Sequence, residues 1–300
     1  MENNKNRNTY GAGLVFLSTL MFGSYGVWSR LIGDTMGDFF QGWTRALLIL
    51  IIIVPLALFR KEIVGIRKGD KKWLVVFLIF TSLTQAPIFY AFNHMDIGTA
   101  TLLYFVSFFL TMNIVGVVFM GEKFNKIKIA SAVLALAGMY LVFSFSLSAF
   151  ALFAALMAIA NGIASGGEVA FSKKLSDKYS PLYLITLSWA IILLTNSIIS
   201  MGIGEPQVAL SISKPWFWQL CYSVVSLFSF WFVIAGLKYV DVGIGALISL
   251  LEIIFSVAFG IFIFGESLTL SVLAGGLLIL TAVALPNIKT LVNFRKSYLM

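Results

Sequence analysis

The sequence predicts an all-α integral membrane protein of ten transmembrane helices, arranged as two inverted five-helix repeats. Three observations lead to this fold class: the composition, ten long apolar segments, and the placement of basic residues between those segments. Of the 300 residues, 60% are apolar and 11% are charged, and the mean hydropathy is +0.97. Soluble domains are about 45–50% apolar and about 25% charged. The composition therefore excludes a disordered chain, a secreted disulfide scaffold and an ordinary cytosolic enzyme.

A helix that crosses a membrane needs about 20 consecutive, mostly apolar residues. The connections between such segments are short here, so no length is left for a soluble domain. The first segment is about 22 residues long, which is too long for the apolar region of a signal peptide. The ten predicted spans are Tyr10–Leu31, Phe39–Phe59, Trp73–Asn93, Ile97–Met120, Asn125–Ser144, Ser148–Ala170, Ser180–Ile203, Pro215–Leu237, Val242–Phe264 and Leu268–Ile288.

The basic residues lie almost entirely on one side of the predicted membrane. Of the 21 lysines and arginines, all but three fall on the side of the N-terminus. The exceptions are Arg30 and Lys214 on the opposite side and Arg45 within a span. Because lysine and arginine are retained in the cytoplasm, both termini are predicted to be cytoplasmic. The formal net charge of +8 then reflects membrane topology, and nucleic-acid binding is not needed to explain it.

A short pattern occurs twice and indicates an internal repeat. Asp96-Ile97-Gly98 leads through one apolar span to Gly121-Glu122, and Asp241-Val242-Gly243 leads through another span to Gly265-Glu266. Each copy holds five spans, so the second copy enters the membrane in the opposite orientation. Inverted repeats of this kind are typical of secondary transporters, whose substrate sites lie near the bilayer midplane between the repeats. The predicted boundaries are 1–9 and 289–300 for two cytoplasmic tails, 10–144 for the first repeat and 148–288 for the second.

At Gly121-Glu122 and Gly265-Glu266 the chain resembles the EamA family of the drug/metabolite transporter superfamily. Arg45, just inside the second span, and the run Leu250-Leu251-Glu252-Ile253-Ile254-Phe255 add to the resemblance, which covers nearly the whole chain. It implies two inverted halves around a central cavity and movement of small metabolites without nucleotide hydrolysis. Phe109 and Ile253 stand where the family often has a proline in spans four and nine, so a proline-made kink is not implied there.

Glu252 is the residue whose chemistry fits its position least well. It lies roughly eleven residues into the ninth span, which at about 1.5 Å per residue is near mid-membrane. An ionisable group at that depth is costly and marks a functional site by default. Gly245, Ser249, Glu252, Ser256 and Gly260 recur at helical spacing and form a stripe that is expected to face away from lipid. Glu252 is either a proton- or cation-binding carboxyl, or a protonated hydrogen-bond donor at a helix contact.

Four further residues are candidates for the lining of the cavity. Arg45 has three possible roles: a partner for Glu252, an anchor for a substrate carboxylate, or a clamp on backbone carbonyls; a guanidinium binds a carboxylate through two parallel hydrogen bonds. Asn161 in the sixth span and Gln85 in the third are candidate polar donors. Tyr104 belongs to an aromatic face of the fourth span, for which packing is the competing explanation.

The sequence contains no motif that favours an enzyme: no paired acidic metal motif, no HExxH and no glycine-rich phosphate loop. A single histidine and a single cysteine give no basis for a metal centre, and no cofactor is expected. We expect a secondary transporter in the cell (inner) membrane that moves a small polar metabolite by alternating access, with an amino-acid-like solute and export as finer expectations and a proton or another cation as the coupling ion. The alternatives are a non-transporting scaffold or receptor and, with less support, an integral membrane enzyme.

Overall fold

The computed structural model describes residues 2–84, 86–95, 97–123, 125–142, 152–265 and 267–298. In these residues the fold is all-helical, without a β-strand. The helices are α1 (Glu2–Gly23), α2 (Tyr25–Ile32), α3 (Asp38–Phe59), α4 (Lys71–Ser82), α5 (Ala86–His94), α6 (Ile97–Met120), α7 (Lys126–Val142), α8 (Leu152–Ser176), α9 (Pro181–Gly202), α10 (Lys214–Leu237), α11 (Val242–Ser249), α12 (Leu251–Phe264) and α13 (Leu270–Tyr298).

Seven stretches of the described chain are long and apolar enough to cross a membrane. They are Arg7–Ile32, Asp38–Phe59, Ala100–Met120, Leu152–Ser176, Pro181–Gly202, Lys214–Leu237 and Val242–Phe264, and Leu270–Leu285 is a shorter apolar helix. Large apolar side chains such as Ile51, Val118 and Phe262 are exposed on the outer surface. An exposed apolar surface of this extent is that of a protein surrounded by lipid. The molecule is a multi-pass membrane protein.

Four helix pairs make the most extensive contacts: α6 with α8, α7 with α13, α3 with α9, and α1 with α10. Glycines lie at three of these contacts. Gly11 faces Gly236 between α1 and α10, Gly138 faces Gly275 between α7 and α13, and Gly162 faces the backbone of α6. Small residues allow helix backbones to approach closely. Within a lipid bilayer no hydrophobic effect drives helices together, so such close van der Waals packing holds them in contact.

Three of the predicted spans are interrupted. The first is divided at Ser24, the third between α4 and α5, and the ninth at Leu250. At Leu250 the amides bond three residues back, from Leu250 to Leu247 and from Ile253 to Leu250, each at 3.1 Å. This tighter pattern is that of a 3₁₀ turn and frequently marks a functional position within a helix. Neither Ser24 nor Leu250 is next to a proline, so both interruptions have to be stabilised by tertiary contacts.

The contact between α7 and α13 gives a direct test of the packing. A Cβ atom added at Gly138 would lie 2.7 Å from the Gly275 carbonyl oxygen and 2.8 Å from Ile279 Cγ1. Gly138→Leu should therefore force the two helices apart, at a cost of about 1–3 kcal/mol, and lower the melting temperature of the detergent-purified protein. Gly13→Leu is the matched control, because nothing lies within 4 Å of its Cβ position. Equal melting temperatures for the two variants would contradict this packing.

Candidate functional site

An aromatic cage surrounds the buried arginine of α3. Arg45 is 3% exposed, and its Cζ lies 4.1 Å from the ring centre of Tyr222 on α10. The same atom lies 5.8 Å from the ring centres of Tyr25 on α2 and Trp189 on α9. A cation over an aromatic ring gains about 2 kcal/mol when the pair is shielded from water. The side chain of Arg45 on α3 is therefore oriented by contacts with α2, α9 and α10.

The cage is itself held by contacts between its members. The rings of Tyr25 and Tyr222 meet edge to face with 4.8 Å between their centres. The Tyr25 hydroxyl lies 2.7 Å from the Ser229 hydroxyl of α10. Trp189 packs edge to face on Phe230 at 5.4 Å. Aromatic pairs in this geometry are worth about 0.5–1.5 kcal/mol beyond their buried area. The cage is therefore a packed structure in which the guanidinium has little freedom to reorient.

The interruptions at Ser24 and Leu250 lie beside each other. The Cβ position of Gly23, the last residue of α1, is 3.0 Å from the carbonyl oxygen of Glu252 and 3.2 Å from the amide of Ser256. It is also 2.7 Å from Cβ of Phe255. Only glycine permits this approach of α1 to α12. The irregular backbone of two spans is thus brought to one place in the bundle, directly at Glu252.

Among the residues that the structure describes, Glu252 has no ion-pair partner. The ion pairs within the described residues involve Asp70, Glu122 and Asp241 as their acids. The Glu252 side chain is partly buried. The backbone of Glu252 lies against Gly23, two residues before Tyr25 of the cage, so the segment that carries Glu252 is close in the fold to the cage around Arg45. Of the three roles considered for Arg45, direct pairing with Glu252 is not formed in this structure.

The other predicted site residues are distributed around this region. Ser249 is buried at the end of α11, whereas Ser256 is exposed in a groove that Gly23, Gly26 and Arg30 also line. The stripe expected to face away from lipid is therefore buried only in part. Asn161 on α8 is 2% exposed, and its Nδ2 has no hydrogen-bond partner among the described residues. Gln85 lies outside the described residues.

Sequence reasoning missed Tyr25, Trp189 and Tyr222, the three rings of the cage. Aromatic residues are 15% of this chain, so an individual ring carries little information. One signal was available: Tyr222, Ser226 and Ser229 follow one another at helical spacing, and both serines are buried at 0% exposure. A polar face of that length within an apolar helix indicates that α10 contributes to a polar interior.

A network of charges joins several elements at the end of the bundle where α6 and α8 finish, called here the Glu122 end. The Glu122 carboxylate accepts hydrogen bonds from the amides of Val242 at 2.5 Å and Gly243 at 3.1 Å. It also pairs with Lys173 at 3.5 Å and Lys128 at 3.7 Å. Asp241, the residue before α11, makes no side-chain bond to its own helix. Glu122 therefore supplies the negative charge that stabilises the N-terminus of α11.

Comparisons with known proteins agree with this architecture. The model of the EamA-like transporter family matches residues 9–144 and again residues 152–288. A protein of Archaeoglobus fulgidus named as an uncharacterized transporter is 26% identical over 285 residues, which cover 91% of this chain and 95% of that protein. A solved structure described as the crystal structure of a protein shares the fold, with a TM-score of 0.77 at 16% identity over 92% of this chain and 97% of its own. The resemblance seen in the sequence is confirmed, and this chain belongs to the EamA-like transporter family.

Proposed function

We propose that this membrane transporter is a secondary transporter that moves a small zwitterionic solute of the amino-acid kind by alternating access. One observation carries the proposal: the interruptions at Ser24 and Leu250 come together where Gly23 lies against the backbone of Glu252, and the cage of the cation Arg45 begins two residues further, at Tyr25. Glu252 has no ion-pair partner among the described residues. Irregular backbone at membrane depth is tolerated where it is enclosed by protein or lines a cavity. In secondary transporters such interrupted helices form the substrate and ion sites.

The chemistry of the region fits a molecule that carries both a negative and a positive charge. The planar guanidinium of Arg45 matches a carboxylate through two parallel hydrogen bonds. The Glu252 carboxylate is a partner for an ammonium group, and the rings of Tyr25 and Tyr222 provide faces that attract a cation or cover an apolar side chain. A solute with both charges offers a carboxylate to Arg45 and an ammonium group to Glu252. This favours amino-acid-like molecules over sugars, nucleosides and quaternary amines.

We further infer two inverted five-helix repeats, residues 10–144 and 148–288, with short cytoplasmic tails at 1–9 and 289–300. Two findings support this division. The family model matches the chain twice, over 9–144 and 152–288. The helix contacts also repeat. Helix α3 packs on α9, so the second spans of the two halves would pair, and α7 packs on α13, so the fifth spans would pair. The packing of α1 on α10 has its counterpart in the packing of α8 on α4 and α5.

The proposed topology places both termini in the cytoplasm of the cell membrane and can be tested with single cysteines. Lys68, between α3 and α4, and Leu210, between α9 and α10, are both exposed. In a Cys221→Ala background, a membrane-impermeant thiol reagent added to intact cells should label Leu210→Cys and not Lys68→Cys. Glu205 is unsuitable as a test position, because its carboxylate accepts hydrogen bonds from amides at the start of α3. Labelling of position 68 alone would reverse the topology.

Alternating access requires a barrier that can open at each side of the site. In the proposed topology the Glu122 end is cytoplasmic, and the Glu122 network joins the first half to Lys173 and the start of α11 in the second. Opening at that side would separate these partners. A non-transporting scaffold or receptor would not need such a barrier. If the protein has that function, no solute flux is expected.

Counterflow in proteoliposomes tests the proposed function. Vesicles loaded with an unlabelled amino acid should accumulate the labelled one transiently, and sugars, nucleosides and quaternary amines should not exchange. Arg45→Gln should reduce the initial rate at least tenfold, which corresponds to about 1.4 kcal/mol. Arg60→Gln is the control, since Arg60 is exposed at the end of α3. Equal exchange rates in the two variants would exclude Arg45 from the substrate site.

A further inference from the structure

A strongly basic segment joins α3 to α4 and takes no part in the site described above. Within the described residues none of its basic side chains forms an ion pair, whereas Lys128, Lys173 and Lys178 each pair with an acid. The charges of this segment are therefore directed to the outside of the molecule. Residues 61–72, called here the basic segment, contain five exposed basic residues: Lys61, Arg67, Lys68, Lys71 and Lys72.

The acids of the basic segment offset little of this charge. Asp70 is buried, and its carboxylate accepts hydrogen bonds from Lys178 Nζ at 2.5 Å and from the Tyr179 hydroxyl at 3.4 Å. The charge of Asp70 is thus balanced by a lysine from outside the segment. Glu62, the other acid, is half-buried. The exposed face of the segment is accordingly positive and suits an anionic partner.

The two lysines that begin α4 are not placed to stabilise that helix. Lys71 and Lys72 form its first turn, where a cation opposes the helix dipole. The Lys72 ammonium group lies 4.8 Å from the ring centre of Trp73, and tryptophan is enriched where a membrane meets water. A negatively charged partner at the membrane surface would offset the unfavourable position of both lysines.

The basic segment also exposes large apolar side chains. Ile63, Val64 and Ile66 are between 44% and 51% exposed. The segment follows Phe59, which is exposed at the end of α3, and leads into α4, where Val75 is exposed. Both ends of the segment therefore join lipid-facing helices. Apolar side chains among lysines and arginines bind a membrane surface through buried apolar area and attraction to anionic lipids.

Backbone contacts hold the basic segment in place on the bundle. Lys61 has a φ of 54° in the turn that ends α3, and the Glu62 amide donates to the Ala57 carbonyl oxygen at 2.9 Å. Further along, the Arg67 amide donates to the Tyr179 hydroxyl at 3.1 Å. The three exposed apolar side chains lie between these two fixed points. A surface that is already ordered loses less conformational entropy when it binds.

We propose that the basic segment is a binding surface for anionic phospholipids. Ile63, Val64 and Ile66 enter the membrane interface, and the five basic side chains contact the phosphates of the headgroups. Lysine and arginine clusters next to a membrane-spanning helix attract anionic lipids in this way. The position of the segment between the lipid-facing ends of α3 and α4 favours a lipid surface over a soluble acidic partner. The inference goes beyond the proposed function and does not depend on which solute is moved.

A spin label on the apolar part of the segment tests the proposal. In a Cys221→Ala background, Ile66→Cys carries the label, and the protein is reconstituted in phosphatidylcholine with or without phosphatidylglycerol. Phosphatidylglycerol should lower collisions of the label with a water-soluble nickel chelate at least twofold and raise collisions with oxygen. Salt at about 1 M, where the screening length is about 3 Å, should reverse most of this change. Equal collision rates in the two kinds of vesicle would overturn the proposal.

Leu210→Cys is the matched control for the spin label. Leu210 is exposed in the loop between α9 and α10, and residues 203–213 contain no lysine or arginine. Its collision rates should be the same in both kinds of vesicle. Polyglutamate serves as a probe for a soluble acidic partner. Protection of position 66 by polyglutamate but not by phosphatidylglycerol would assign the segment to such a partner and overturn the lipid proposal.

Removal of charges tests whether this segment is the lipid-binding surface. Native mass spectrometry of the detergent-purified protein compares the binding of phosphatidylglycerol with that of phosphatidylcholine. One variant replaces three charges of the segment with glutamine, at Arg67, Lys68 and Lys71. A control variant replaces three exposed lysines elsewhere in the same way, at Lys123, Lys126 and Lys238.

The first variant should bind phosphatidylglycerol at least tenfold more weakly, because each basic residue at an anionic surface contributes about fivefold. Its binding of phosphatidylcholine should be unchanged, and the control variant should bind both lipids as the unmodified protein does. Equal losses in the two variants would show attraction to the overall charge and overturn the assignment to this segment. The spin-label experiment decides the question even if the first variant folds poorly, because it leaves every basic residue in place.

Discussion

Glu252→Gln should abolish accumulation of solute driven by a proton gradient while leaving equilibrium exchange measurable. We propose that Glu252 binds the coupling proton; the amide keeps the shape and much of the hydrogen-bonding capacity of the side chain but cannot take up or release a proton. The variant should reach the membrane, because a neutral amide costs less at that depth than a carboxylate. Glu252→Asp should keep a weakened activity with a shifted pH profile, since the carboxyl moves back by one methylene. Uptake with and without a pH gradient, in parallel with melting temperature, measures these effects.

The control for this substitution is Glu62→Gln, in the loop after α3, where the same change of charge lies outside the helices. It should leave accumulation unchanged. If Glu252 is instead a structural donor between α1 and α12, Glu252→Gln will accumulate solute almost normally and Glu252→Asp will fold poorly. That pair of results would remove the coupling role and leave Glu252 as part of the helix contact.

Glu122→Ala should cause the largest loss of stability among substitutions outside the site. The carboxylate is 8% exposed and is shared by Lys173 and Lys128 and by two backbone amides at the start of α11. Its removal leaves two partly buried lysines and the helix terminus without their acceptor. Breaking a buried ion pair by removing one partner costs about 3–5 kcal/mol, and we expect a loss near the lower end because the lysines retain some access to water. The melting temperature of the purified protein measures it.

Asp177→Ala is the matched control, because Asp177 is exposed after the end of α8. Its melting temperature should stay close to that of the unmodified protein. Glu122→Gln should fall between the two, since the amide oxygen can still accept from the amides of α11 while the charge is lost. A melting temperature of Glu122→Ala equal to that of Asp177→Ala would show that the network contributes little to the fold.

The apolar spans could be predicted because lipid imposes a minimum length that the sequence displays directly. The observed helices α3, α6, α9 and α10 begin and end within one residue of the predicted spans. Their ends follow changes of composition from apolar to polar residues. The charge asymmetry also depends only on how many lysines and arginines each loop contains. A topology could therefore be predicted without knowledge of how the helices pack.

The interruptions could not be predicted, because nothing local requires them. Ser24 follows a glycine and Leu250 stands in an apolar run, and uninterrupted helices tolerate both sequences. The break at Ser24 is accompanied by a bond from the Ser24 hydroxyl to the Met21 carbonyl oxygen at 2.6 Å and by one from Trp28 Nε1 to the Ser24 hydroxyl at 2.9 Å. The contact of Gly23 with α12 joins residues more than two hundred positions apart. Such long-range packing leaves no periodic signal.

Glu168 shows how a small error at a helix end changes a chemical interpretation. The predicted span ends at Ala170, which places Glu168 at the membrane surface, within reach of water or Lys173. The observed α8 continues to Ser176, so Glu168 lies about two turns inside the helix. The additional turns are rich in polar residues and are buried against α4 and α6, which a hydropathy criterion cannot anticipate. The capping of α11 by Glu122 is missed for a related reason, since the two lie about 120 residues apart.

We propose that Arg45 and Glu252 together recognise a solute with both a carboxylate and an ammonium group. The most direct measurement is inhibition of amino-acid counterflow by derivatives of the same amino acid in which one charge has been removed. The N-acetyl derivative lacks the ammonium group and the amide derivative lacks the carboxylate. We predict that the parent amino acid competes fully and that each derivative competes at least tenfold more weakly. Competition by both derivatives at the strength of the parent would contradict recognition of the two charges.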